Sequence, residues 1–139
     1  MRGETLYLDS SALVKLVLPE GESGALLERL AAWPIRVTSE VARVEVLRAA
    51  RRAALDPAVG QRAEAVMAAL HLIKIDDEIL SRAAMLEPRT LRSLDALHLA
   101  SALTLGESLG AMAIYDLALA TAATALGVAV IAPQASIPP

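Results

Sequence analysis

The sequence predicts a three-layer α/β/α domain built on a central parallel sheet of about five strands. Five short apolar runs recur along the chain, at Thr5–Leu8, Ile35–Thr38, His71–Ile75, Ala111–Tyr115 and Val128–Ile131, and segments with helical periodicity separate them. Apolar residues fill these runs without a polar alternation, as strands covered on both faces require. Right-handed crossovers then place the intervening helices on the two sides of the sheet.

Each element has a local cause. Thr5–Leu8 is a buried strand that feeds a helix from Ser10 to Leu18, stopped by Pro19, Glu20 and Gly21. A second helix, Glu22–Ala32, ends near Trp33-Pro34, and the strand at Ile35–Thr38 ends at Ser39. Ser39 is a good N-cap for a helix from Glu40 to about Ala54. Asp56-Pro57 starts the next, through Leu70, because proline suits a first helical position. After the third strand, Asp76-Asp77 caps a helix that ends near Pro88, and Ser93 caps another from Leu94 to about Leu105. Gly127 precedes the fifth strand. Residues 1–133 are expected to form one domain, with a loose proline-rich tail over 134–139.

Composition removes several classes of function. A chain of 139 residues can bury most of its apolar surface without a disulfide or structural metal. With no cysteine and only two histidines, His71 and His98, thiolate zinc sites are excluded and carboxylates are the main source of metal ligands. Charged residues interrupt every apolar stretch before it reaches the roughly 20 residues of a membrane span. Met1-Arg2-Gly3-Glu4 runs into the first strand without a signal-peptide core, so a cytoplasmic location is expected. The net charge of −3 argues against a protein that coats nucleic acid. Phe is absent and the only aromatics are Tyr7, Trp33 and Tyr115, so a base-stacking platform is not expected.

Four acids stand where apolar segments stop or are interrupted: Asp9, Glu45, Asp95 and Asp116. Ligands of parallel sheets bind beyond the carboxyl ends of strands, and Asp9 and Asp116 each follow a strand. Glu45 projects from a helix among Val41, Ala42, Arg48 and Ala49, while Asp95 lies in a first helical turn. Carboxylates about 4 Å apart repel by roughly 4 kcal/mol at an effective dielectric near 20, so a converging set calls for a cation or protons. Plain structural readings compete at each position. Asp9, Asp95 and Asp116 suit helix N-termini, as Asp76 does after the third strand, and Glu45 has Arg48 one turn away. His98, one turn after Asp95, can orient that acid or touch substrate, although Leu94, Leu97 and Ala102 favour simple packing. Ser10 and Ser11 lack the Gly-x-Ser-x-Gly turn of a nucleophile and read as a cap and a support for the acids. No glycine-rich nucleotide loop is present.

The stretches LYLDSSALVKL (Leu6–Leu16), SEVARVEVLRAARR (Ser39–Arg52), LRSLDALHLASA (Leu91–Ala102) and YDLALATAATALG (Tyr115–Gly127) each carry one of the four acids. Their order and separation resemble the PIN-domain ribonucleases, in particular the VapC toxins of prokaryotic toxin–antitoxin pairs. The resemblance implies that Asp9, Glu45, Asp95 and Asp116 bind Mg²⁺, with Mn²⁺ as a substitute, for hydrolysis of RNA. It also implies a cognate antitoxin and a homodimer. Family members often carry a hydroxyl residue two before the fourth acid and a base shortly after it, where this chain has Ile114, Leu117 and Ala118. Arg48, Arg51, Arg52, Arg89 and Arg92 are the candidates left for contacting phosphate.

Other readings are a nuclease of RNA processing that is no toxin, a phosphotransferase of the haloacid dehalogenase or receiver type, and a non-catalytic interaction domain. A dehalogenase-type phosphatase wants a second acid where Ser11 stands, and neither Lys15 nor Lys74 follows a late strand. An interaction domain would be indifferent to metal.

Overall fold

The computed structural model describes residues 3–134, so from residue 135 onward the expected loose tail lies outside the described residues. The strands are β1 (Thr5–Leu8), β2 (Ile35–Ser39), β3 (His71–Ile73), β4 (Leu109–Ala113) and β5 (Val130–Ile131). The helices are α1 (Ser10–Val17), α2 (Ser23–Leu30), α3 (Val41–Ala53), α4 (Pro57–Ala68), α5 (Asp77–Met85), α6 (Ser93–Leu103) and α7 (Leu117–Ala125). A single 3-10 turn at Gly106–Ser108 leads into β4. All pairings are parallel, in the order β3-β2-β1-β4-β5.

The first strand takes the centre because all four of its residues are buried. Alternation sends Leu6 and Leu8 to one face, where they pack in a core with Ala12 and Leu13 of α1, Val46 of α3 and Met67 of α4. Tyr7 points to the other face, in a core with Leu99 of α6, Met112 of β4 and Leu119 of α7. Each fully buried leucine contributes about 1.5–3 kcal/mol, so this strand anchors both helical layers. The expected three-layer parallel architecture is therefore the one the chain adopts.

Aspartates start four of the helices. Asp9, Asp56, Asp76 and Asp116 each accept a hydrogen bond from a backbone N–H in the first turn, at 3.0, 2.9, 2.8 and 2.9 Å. Two expected caps shift by a residue. Ser39 closes β2 while Glu40 takes the cap position of α3, and Arg92 takes that of α6, leaving Ser93 inside the helix.

Three strands differ from their expected bounds. β4 covers Leu109–Ala113 rather than Ala111–Tyr115, because its register sets Ala111, Met112 and Ala113 opposite Leu6, Tyr7 and Leu8. Beyond that point β1 is finished. The Ile114 N–H donates to the Ile131 carbonyl, and the Tyr115 N–H to Ser11 Oγ. β3 stops at Ile73, and the Ile75 N–H is taken by Glu40 Oε1 at 3.0 Å. β5 begins at Val130, because Gly127 at φ 82° closes α7 and the Val128 N–H donates back to the Ala123 carbonyl.

Candidate active site

At the carboxyl end of the sheet, four elements bring one carboxylate each to a cavity of about 350 Å³. Asp9 comes from the β1–α1 junction, Glu45 from α3, Asp95 from α6 and Asp116 from the start of α7. Ser10, Ser11, Ser93, His98 and Arg92 complete its polar lining. A larger cavity of about 640 Å³, lined by Gly3, Gly110 and Gly127, opens elsewhere but gathers only one acid, Glu107. Convergence of charge rather than size marks the smaller one.

Asp9 is 3% exposed, and its backbone N–H donates to the Ala113 carbonyl at 3.2 Å, which locks it between the two central strands. Its Oδ1 accepts from Ser11 Oγ at 2.6 Å and from the Ala12 N–H at 3.0 Å, so Oδ2 takes neither bond. Burial pushes its carboxyl up to about 6, against the pull of those two bonds and of His98, and repulsion from Asp95 adds to the rise. Burial also raises Asp95, and repulsion from Asp116 and Glu45 adds to it, while Arg92 and His98 oppose. Through these mutual repulsions the acids share one field.

Glu45 behaves differently. Burial raises its carboxyl, but hydrogen bonding to His98, the charge of that ring and the Ser10 hydroxyl together outweigh burial and hold it below the usual range. Glu45 Oε1 accepts from Ser10 Oγ at 2.7 Å and lies 2.7 Å from His98 Nε2. The pairing of Glu45 with Arg48 is not made. Ser11 has two partners, donating to Asp9 and accepting from the Tyr115 N–H at 2.9 Å, and so ties the first acid to the segment that leads to the fourth.

His98 is packed, at 1% exposed, and its ring reaches Glu45 instead of Asp95. Arg92 lines the acidic cavity, whereas Arg48 and Arg51 line a separate groove with Val44 and Pro57. Arg48 therefore does not line the acidic cavity, although it stands one turn from Glu45. Arg52 lines an adjoining cavity of about 490 Å³ that shares Ser10, Ser11, Glu45 and Asp116 with the first. Helical spacing carries this signal, since seven residues after Glu45 return to the same face. Arg89 lies 3.9 Å from Glu87 on an exposed loop.

The donor chemistry fits a hard divalent cation, with carboxylate oxygens and room for water. Among the described residues, no three His, Asp or Glu side chains stand in an arrangement that could hold a metal ion as they are. One or two carboxylates with water completing the shell is the mode that suits Mg²⁺.

The sequence profile of the PIN domain matches residues 6–109, a span that contains Asp9, Glu45 and Asp95. This chain belongs to the PIN domain family. It is 46% identical over 136 residues to ribonuclease VapC46 of Mycobacterium tuberculosis (strain ATCC 25618 / H37Rv), covering 93% of this chain and 98% of that protein. Ribonuclease VapC35 of the same strain is 43% identical over 135 residues, with 92% and 96% covered. Among solved structures, a toxin–antitoxin complex from Klebsiella pneumoniae matches with a TM-score of 0.71 at 20% identity, over 94% of this chain and 99% of that one, which supports the PIN fold. Asp116 falls beyond the matched profile, so its place at the site rests on the geometry of α7. Among the described residues no helix is long and apolar enough to cross a membrane.

Proposed function

We infer that the chain is a metal-dependent endoribonuclease of the VapC type, the toxin of a toxin–antitoxin pair. The observation that carries this reading is the meeting of four carboxylates from separate elements beyond the carboxyl ends of β1 and β4. Similarity to ribonucleases named VapC over nearly the whole chain supports it.

Mg²⁺, or Mn²⁺ in its place, would be held in the field of Asp9, Asp95, Asp116 and Glu45, with one or two of these carboxylates binding it directly and the others through its waters. When bound, the ion offsets their repulsion and activates water for attack on an RNA phosphodiester. The chain's own groups prepare this. Ser11 and the Ala12 N–H fix Asp9 through Oδ1, and neither bonds Oδ2. Arg92, which forms no ion pair among the described residues, is placed to take a phosphate oxygen beside Asp95, and Arg52 to take one on the other side. A cognate antitoxin would inhibit by covering the cavity, in the cytoplasm. Exposed apolar side chains at Leu80, Met85 and Leu94 support a homodimer, which would cover them.

Purified protein incubated with structured RNA and Mn²⁺ should cleave it, and a chelator should stop the reaction. Asp9→Asn and Asp95→Asn should each abolish cleavage. Equal rates in parent and variants overturn the assignment. Growth arrest on expression, relieved by the partner protein, tests the toxin reading.

A further inference from the structure

His98 is the one buried histidine near the acids, and both of its ring nitrogens are engaged. Nε2 lies 2.7 Å from Glu45 Oε1 and 3.0 Å from Ser10 Oγ, and Nδ1 lies 2.6 Å from Tyr7 Oη. A carboxylate accepts and does not donate, so Nε2 carries the hydrogen that faces Glu45. In the neutral ring Nδ1 then accepts from the Tyr7 hydroxyl, and in the charged ring it donates to Tyr7 Oη, so the pair stays bonded in either state. Tyr7 is 0% exposed and sits edge-on to the imidazole, with ring centroids 5.8 Å apart and planes at 77°, so the ring is held by packing as well.

The consequence falls on Glu45. Its side chain has several rotatable bonds and leaves the middle of α3, where no backbone cap restrains it. Ser10 and His98 both contact Oε1, from α1 and α6, while Tyr7 holds His98 from β1. Two elements thus meet α3 at one carboxylate oxygen, and a third braces the ring that touches it.

We propose that His98 is a positioning residue for Glu45: braced by Tyr7 at Nδ1, it pins Oε1 through Nε2 and so turns Oε2 toward the cavity shared with Asp9, Asp95 and Asp116. The proposal rests on the reading of those acids as a metal-dependent nuclease site. A histidine that only fills space would affect melting and leave the turnover of folded protein unchanged.

The test uses the full chain as parent, Tyr7→Phe, His98→Gln and His98→Leu. Turnover and KM are measured on single-stranded RNA with Mn²⁺, Mn²⁺ binding by calorimetry without RNA, and folding by thermal melting. His98→Leu should lower kcat about tenfold or more with KM within about twofold, and weaken Mn²⁺ binding by a similar factor. His98→Gln, which keeps an N–H donor, should recover at least about threefold of that loss, and Tyr7→Phe should lower kcat about threefold. A folded His98→Leu protein with parental kcat and Mn²⁺ affinity overturns the proposal. Should His98→Leu fail to fold, parental kcat in both Tyr7→Phe and His98→Gln overturns it equally, and a selective kcat loss in Tyr7→Phe supports it. A parent that neither cleaves RNA nor binds Mn²⁺ overturns the nuclease reading and this inference together; an active parent with indifferent variants overturns this inference alone.

Discussion

Replacing Asp9 by asparagine should inactivate the protein and stabilise it. The carboxyl is 3% exposed, and its pKa lies at about 6 against an ordinary value of 3.8. A carboxyl whose folded value is raised binds its proton more tightly in the native state. Stability is therefore highest in acid and is lost as pH rises from about 4 to 6. The gap corresponds to about 3 kcal/mol of native-state cost above pH 7, of which about half persists at pH 5. The asparagine keeps an acceptor oxygen for Ser11 and the Ala12 N–H and carries no charge to desolvate. At pH 7.5 in chelator, Asp9→Asn should melt higher than the parent by on the order of 5–10 °C. The difference should shrink at pH 5. Saturating Mn²⁺ should narrow it at pH 7.5, because an ion at a hundred times its dissociation constant adds about 2.7 kcal/mol to the parent and less to the variant. Thermal melts at the two pH values, with chelator and with Mn²⁺, decide the matter. A variant that melts at or below the parent at pH 7.5 in chelator refutes the claim that Asp9 is held ionised at a cost.

Asp76 and Asp116 both cap helices, but only Asp116 reaches the cavity. Asp76→Ala should cost about 1 kcal/mol in urea denaturation with RNA cleavage intact, whereas Asp116→Ala should lose a similar amount and cleavage as well. Leu99→Ala, at a 0% exposed position of α6, should cost about 2–5 kcal/mol by the same measurement. Gly110→Ala should destabilise by about 1–3 kcal/mol, because a Cβ there would collide with the Gly3 carbonyl oxygen and with Trp33 Cζ3. Retention of the parental urea midpoint in Gly110→Ala would show that both the Gly3 backbone and Trp33 yield freely.

Strand and helix order could be read from the chain because Thr5–Leu8 is wholly apolar apart from its first residue and because proline and aspartate mark the helix starts. The error in β4 has a definite origin. Its residues Leu109–Ala113 are mostly glycine and alanine, with little strand character of their own, while Ile114 and Tyr115 look like strand but stand past the end of β1. Pairing register, which is a property of two segments, overrode local preference. At the site, the four acids could be found individually, and capping proved no rival to convergence, since Asp9 and Asp116 do both. The contact between Tyr7 and His98 was hidden, because 91 residues separate them and only the packing of α6 against the sheet brings the hydroxyl to the ring. Arg48 misled through its nearness in sequence to Glu45.

Strand order has a consequence for synthesis. β1 lies at the middle of the sheet, yet its neighbour β4 is made last but one, and Asp116 follows it. A chain emerging from the ribosome thus holds its first acid from the start and the means to enclose it only near the end. A polypeptide that ended before β4 would lack Asp116, so the full set of four acids can meet only in a nearly complete chain.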